Sequence, residues 1–175
     1  MRKTRVAGFI VSCALFVLSA LSIPPFFAAA ASAAGKAGEF AIVYTTDAHG
    51  RIVTDADTIG LDVVAAIYRA TPHAILLDAG DFLHGAPIAT LTRGRDVVDL
   101  MKRAGYLAAA VGNHEFNYGR DILLERAAEA AAPPRSMRLL AANVTRGDGE
   151  RLFEPWLVKE LNGLRVGIFG LTTPD

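Results

Sequence analysis

Three short segments of the chain combine carboxylate, imidazole and amide side chains. They are residues 46–50 (TDAHG), 80–85 (GDFLHG) and 112–119 (GNHEFNYG). Cys13 is the only cysteine of the chain, so no thiolate accompanies these groups. Oxygen and imidazole donors without sulfur suit Mn²⁺, Zn²⁺, Fe or Mg²⁺. The residue types therefore predict metal-assisted chemistry, provided that the fold brings the segments together.

Each of these segments directly follows a predicted strand. Short apolar runs predict strands at 40–45, 73–78, 107–111 and 137–144, and helical spacing predicts helices from residue 61, at 87–91, 95–103 and 120–132. This alternation predicts a mostly parallel α/β sheet, to which 156–161 and 164–169 add an antiparallel hairpin around Asn162-Gly163. Ligands bind at the carboxyl ends of parallel strands. We therefore expect five side chains at one sheet edge: Asp47, His49, Asp81, Asn113 and His114.

Taken together and in this order, the three segments resemble the first three motifs of the calcineurin-like metallophosphoesterases. They are most similar to the bacterial exported 5′-nucleotidase, UDP-sugar hydrolase and 2′,3′-cyclic-nucleotide phosphodiesterase group. The resemblance implies an α/β fold that forms the N-terminal half of a four-layer αββα sandwich. It assigns 39–175 to an incomplete metallophosphoesterase domain.

The resemblance also implies a site with two divalent metal ions, whether Mn, Zn, Fe or Mg. Asp47 and His49 would bind the first ion, Asp81 would bridge both, and Asn113 would bind the second. Two-metal hydrolases hold their ions about 3.5–4 Å apart, which requires such a bridging carboxylate. The simpler interpretations are a polar turn for Asp47 and His49, a helix cap for Asp81 and a left-handed turn for Asn113.

Three further residues acquire roles from the same resemblance. His114 would face the phosphoryl group as a catalytic residue, and Asn117 would orient it where related nucleotidases often have Asp. Glu115 would support the ligand-bearing loops from behind, with an exposed loop carboxylate as the alternative. His84 is interpreted as an exposed loop residue, and His73 as a structural residue at the start of a strand.

The family completes its metal site with three later histidines, but no histidine follows His114 in this chain. The second metal site is thus short of ligands. Two functions are compatible with this pattern. One is hydrolysis of nucleotides or similar small phosphoesters, and the other is a truncated, catalytically incomplete fragment that binds at most one metal weakly. A dinucleotide-binding module is excluded because no Gly-x-Gly-x-x-Gly follows a strand.

Residues 1–33 are predicted to be a signal peptide, followed by a short linker at 34–38. A basic start, an uncharged stretch at 6–23 and the small residues before position 34 predict export to the periplasm or cell surface. An uncleaved membrane anchor is the alternative, and this segment is the only predicted membrane contact. Removal of 1–33 changes the net charge from 0 to −3 and leaves no basic patch for a nucleic-acid polymer. We therefore expect a small-molecule partner, while the oligomeric state is open.

Overall fold

A computed structural model of the protein describes residues 38–173. The predicted signal peptide and almost all of the predicted linker lie outside these residues. Six strands and four α-helices are described, with one 3-10 helix at His114–Tyr118. The strands are β1 (Ala41–Thr45), β2 (Ala74–Asp78), β3 (Ala108–Ala110), β4 (Arg138–Leu140), β5 (Trp156–Leu161) and β6 (Leu164–Phe169). The helices are α1 (Leu61–Ala70), α2 (Pro87–Thr92), α3 (Arg95–Ala104) and α4 (Arg120–Ala131).

The first four strands form a parallel sheet in the order β1-β2-β3-β4. The register places Thr45 beside Asp78, so β1 and β2 end together. β5 and β6 form a separate antiparallel pair. Asn162 and Gly163 join them with positive φ angles of 45° and 83°, as a tight hairpin loop requires. The α/β class, the parallel sheet and the antiparallel hairpin are therefore confirmed.

The helices supply most of the core on one face of the parallel sheet. The apolar stripe of α3 buries Val97, Val98 and Met101. α3 ends at Gly105, whose φ of 109° suits the left-handed position after a helix. On the other face the edge strand β1 leaves Ile42 and Tyr44 exposed. The core thus lies between the sheet and the helices.

The chain after β4 departs from the predicted strand at 137–144. Only Arg138–Leu140 form regular pairs with β3, at the far edge of the sheet. Beyond Leu140 the main-chain N–H groups of Ala141 and Ala142 donate to the carbonyls of Glu154 and Gly170, at 3.0 and 2.8 Å. These bonds attach the hairpin to the sheet. Within residues 38–173, no helix is both long enough and apolar enough to cross a membrane.

Candidate active site at the carboxyl edge of the sheet

The three predicted motif loops meet at the carboxyl edge of the parallel sheet. The N–H of Asp47 donates to the carbonyl of Gly80 at 3.0 Å, and that of His49 donates to the carbonyl of Asp81 at 2.9 Å. The N–H of His114 donates to Oδ1 of Asp81 at 2.9 Å. Asp81 therefore contacts the first loop through its main chain and the third loop through its carboxylate. The predicted convergence of the loops is confirmed.

The backbone is left-handed at three of the predicted metal ligands. Asp47, His49 and Asp81 have φ angles of 53°, 47° and 64°. Such angles are uncommon outside glycine and persist where the surroundings impose them. Here the interloop hydrogen bonds supply that constraint. Asn113, by contrast, has a φ of −74°, so the interpretation of this residue as a left-handed turn is wrong.

Two glycines allow the loops to approach each other closely. A Cβ atom on Gly85 would lie 2.7 Å from both Cβ and the carbonyl oxygen of His49. A Cβ atom on Gly112 would lie 2.9 Å from Cγ of Asp81. Either side chain would force the neighbouring loop to move. The glycines are therefore part of the geometry that positions His49 and Asp81.

Glu115 is a buried carboxylate that joins the second and third loops. Its side chain is only 1% exposed, which contradicts the interpretation as an exposed loop carboxylate. It accepts four main-chain N–H bonds of 2.7–3.0 Å, from Asp81, Phe82, Leu83 and Gly112. Burial raises the pKa of Glu115, while these four donors act to lower it. Its position fits the predicted supporting role.

A second buried carboxyl group lies directly beneath the loops. Asp78 accepts a 2.5 Å bond from the hydroxyl of Thr45 and a 2.8 Å bond from the N–H of Gly80. The Thr45 hydroxyl also lies 2.8 Å from the hydroxyl of Tyr106. Burial raises the pKa of Asp78 to about 7 and the pKa of Tyr106 to about 12. Sequence reasoning missed this network, although a carboxylate at the end of an apolar strand was a signal for it.

Three imidazole rings lie together in front of the loops. The rings of His49 and His114 meet edge to face with centroids 5.1 Å apart. His84 lies parallel to His114 at 5.9 Å, so its interpretation as an exposed loop residue is wrong. The side-chain amide nitrogen of Asn117 lies 2.9 Å from Nδ1 of His114. His73 lies at the amino end of β2, away from these rings, as predicted.

The donor chemistry of the loops fits a divalent ion. Nδ1 of His49 lies 3.1 Å from the main-chain carbonyl of His84. A bond of this kind places the proton on Nδ1 and leaves Nε2 free to bind a metal. Asp47 and Asp81 are the predicted carboxylate ligands of the first and second loops. However, no three His, Cys, Asp or Glu side chains between residues 38 and 173 are arranged as a metal site. The assignment of Asp47, His49, Asp81 and Asn113 as ligands stays a prediction.

Comparison with known proteins identifies folds and sequences similar to those of this chain. No protein-family model matches the chain. Among solved structures, a calcineurin-like phosphoesterase from Bacillus subtilis, YfkN, matches with a TM-score of 0.61 and 23% identity, over 77% of this chain and 48% of that one. At that identity the likeness concerns the fold alone. The matched part of this chain therefore shares its fold with that protein.

The relatives with higher sequence identity to this chain are named 5′-nucleotidases. A 5′-nucleotidase of Vibrio cholerae is 30% identical over 152 residues, which are 81% of this chain and 27% of the relative. A snake venom 5′-nucleotidase of Gloydius brevicauda is 32% identical, over 86% of this chain and 28% of the relative. The structure of a 5′-nucleotidase precursor from Thermus thermophilus matches with a TM-score of 0.62 and 30% identity, over 77% of this chain and 29% of that one.

The predicted resemblance is thereby confirmed. The chain is similar to the N-terminal part of proteins of the calcineurin-like phosphoesterase and 5′-nucleotidase family. It spans a little more than a quarter of their length.

Proposed function

We propose that the chain is the N-terminal part of a metal-dependent phosphoester hydrolase that acts on nucleotides or related small phosphoesters. The relatives named 5′-nucleotidase support the reaction class. The observation that carries the proposal is the position of Asp81. Its main chain bonds to the loop of Asp47 and His49, and its carboxylate bonds to the loop of Asn113 and His114. A carboxylate between two ligand loops is placed to serve both of the ions that such a hydrolase needs.

In this proposal, Asp47 and His49 would hold one divalent ion, Asn113 would hold a second, and Asp81 would serve both. When bound, such a pair activates a water molecule and neutralises the charge that develops on phosphorus and its oxygen atoms. The protein's own contribution is positional. The bond from Nδ1 of His49 to the His84 carbonyl orients one ligand ring, and the four bonds to Glu115 fix the loop of Asp81.

His114 is the proposed catalytic residue. With the amide nitrogen of Asn117 donating to Nδ1, the ring proton of neutral His114 lies on Nε2. That N–H can donate to a phosphoryl oxygen or give its proton to the departing oxygen. Asn117 fixes the orientation of the ring but adds no negative charge to favour its protonated form. His114 would thus act on the substrate rather than on the ions, and Asn117 would act through His114.

A second candidate function is weak binding of one ion without turnover. The lack of a group of three His, Cys, Asp or Glu side chains around one point in residues 38–173 favours it. In this form the protein would retain the three loops and bind one ion, but it would not hydrolyse phosphoesters.

Calorimetric titration with Mn²⁺ and hydrolysis assays with AMP and p-nitrophenyl phosphate test both candidates. For the 175-residue chain we expect measurable Mn²⁺ binding and negligible hydrolysis. Asp81→Ala should abolish the binding, whereas Asp121→Ala, at an exposed site in α4, should not change it. Equal Mn²⁺ affinity in both variants would contradict the assignment of Asp81. Robust hydrolysis by the 175-residue chain that Asp81→Ala abolishes would contradict the second candidate.

We also propose that residues 1–33 direct export, that 34–38 form a linker, and that 39–175 form the phosphoesterase domain. The charge distribution supports a small-molecule phosphoester rather than a nucleic-acid polymer as the partner. Mass spectrometry of the protein recovered from the periplasm or medium should give a chain that begins within a few residues of position 34. Recovery of the intact chain with the membrane fraction would instead support the anchor.

A further inference from the structure

The side chain of His84 occupies a defined place among the aromatic rings of the site. Its ring lies parallel to that of His114, with an interplanar angle of 8° and centroids 5.9 Å apart. Its ring centroid also lies 5.6 Å from that of Tyr118. The residue is half-buried rather than free in solvent. The His84 imidazole therefore packs against two rings of the same 3-10 helix, one of which is the proposed catalytic ring of His114.

The ring nitrogens of His84 differ from those of the other two imidazoles. Nδ1 of His49 is bonded to a carbonyl, and Nδ1 of His114 is bonded to Asn117. Neither ring nitrogen of His84 has a hydrogen-bond partner in the described part of the chain, 38–173. His84 contributes to the orientation of His49 only through its main-chain carbonyl. Its side chain is therefore available to a ligand.

We propose that His84 is a second phosphoryl-binding imidazole, which donates an N–H bond to the same phosphate group that His114 contacts. This inference rests on the proposed function and adds a contact to it. N–H···O bonds of about 2.7–3.2 Å from each of two rings can end on different oxygen atoms of one phosphoryl group. Phosphate monoesters and inorganic phosphate have enough terminal oxygen atoms to accept from both rings while they contact metal ions.

The test is the affinity for inorganic phosphate in the presence of saturating Mn²⁺, measured by calorimetry. His84→Phe keeps an aromatic ring against His114 and Tyr118 but removes the donor. His84→Gln keeps an N–H donor but removes the ring. Both variants retain the main-chain carbonyl that orients His49, so their Mn²⁺ affinity should equal that of the wild type. We expect about tenfold weaker phosphate binding in His84→Phe and a smaller loss in His84→Gln.

Each outcome has a distinct meaning. A wild-type protein that binds neither Mn²⁺ nor phosphate overturns the proposed function and this inference with it. If the wild type binds both, and His84→Phe binds phosphate equally well, only the role of His84 is overturned. The same conclusion follows if His84→Gln alone loses affinity, because the ring then acts by packing.

A second measurement decides the case in which both variants lose phosphate affinity. The imidazole resonances of His84 in the wild-type protein can be followed by nuclear magnetic resonance with Mg²⁺ present. A shift of these resonances on addition of phosphate supports direct contact. Unchanged His84 resonances, together with a shift of those of His114, overturn the proposal.

Discussion

The carboxyl edge of the parallel sheet and the β5–β6 hairpin distribute their residues in opposite ways. At the edge, polar side chains are buried, with Glu115 at 1% and Asp78 at 5% exposure. In the hairpin, apolar side chains are exposed, including Trp156 at 57% and Phe169 at 66%. Arg126 is the only other buried charged residue between positions 38 and 173.

The difference distinguishes the carboxyl edge, whose loops surround the candidate site, from the hairpin, which contributes no residue to that site. A buried carboxylate is unfavourable unless hydrogen bonds compensate for its lost hydration. Both carboxyl groups at the edge receive such bonds, and all of the donors except Thr45 come from the loops with the predicted ligands. Buried ionisable groups of this kind concentrate at functional sites. The hairpin depends instead on its cross-strand pairs, so single substitutions there should have small effects.

The largest effect is expected at Glu115. Glu115→Ala leaves four main-chain N–H groups without their acceptor, and each buried unpaired donor costs roughly 1–3 kcal/mol. We expect the free energy of unfolding to fall by at least about 3 kcal/mol in urea denaturation. Glu160→Ala, in the exposed part of β5, is the control and should change it by less than about 0.5 kcal/mol. Similar losses of unfolding free energy in the two variants would contradict the difference between the carboxyl edge and the hairpin.

The next largest difference in stability is expected between two glycine substitutions, Gly112→Ala at the carboxyl edge and Gly167→Ala in the hairpin. In Gly112→Ala the new methyl group would meet the carboxylate of Asp81 and force it to move. Overpacking of this kind costs about 1–3 kcal/mol, and the displacement should also weaken Mn²⁺ binding. In Gly167→Ala, on β6, no atom lies within 4 Å of the new group. Thermal unfolding and Mn²⁺ titration of the two variants measure the contrast, and equal behaviour would show that the loops are not closely packed.

The third prediction concerns pH and Asp78. Burial raises its pKa to about 7, with smaller contributions from Glu115 and Asp47, against the bonds from Thr45 and Gly80. Between pH 4 and 7 the folded protein therefore retains a proton that the unfolded chain has lost, and stability falls as pH rises, by up to about 1.4 kcal/mol per unit. Asp78→Asn mimics the neutral form and should flatten this dependence in thermal unfolding. An unchanged slope would contradict the raised pKa.

The smallest effect is expected in the hairpin itself. Val158 is 55% exposed, so Val158→Thr should change the free energy of unfolding by less than about 0.5 kcal/mol. Val98→Thr, at 1% exposure in α3, introduces a hydroxyl into the core and should cost at least about 1 kcal/mol. Urea denaturation measures both changes. A large loss at Val158 would mean that another surface covers the hairpin in solution.

Much of the fold was predictable because its signals are local. Backbone preferences define the element boundaries at three places: the end of α1 at 71–72, the left-handed glycine at position 105 and the Asn162-Gly163 turn. The convergence of the motif loops was also predictable, since parallel strands share a carboxyl edge. The 3-10 helix at His114–Tyr118 was not predicted, because its short segment has no apolar periodicity.

The remaining features depend on contacts between residues distant in sequence. The partner of Asp78 is Thr45, 33 positions away, and Tyr106 is a further 28 positions beyond Asp78. Nothing in the sequence around His84 indicates that its ring meets His114, because that contact depends on the relative position of two loops. Leu140, the last residue of β4, likewise pairs with Glu154, which is 14 positions away. Propensity and periodicity carry no information about such pairs.

The left-handed backbone at Asp47, His49 and Asp81 has a consequence for ligand affinity. Each such residue stores roughly 1–3 kcal/mol of conformational energy, which folding has already supplied through the interloop bonds. The loops at this edge are already ordered before a ligand binds. The ligand's binding free energy is therefore not reduced by the cost of ordering them. Pre-organisation of this kind increases the affinity of any ligand that fits the loops as they stand.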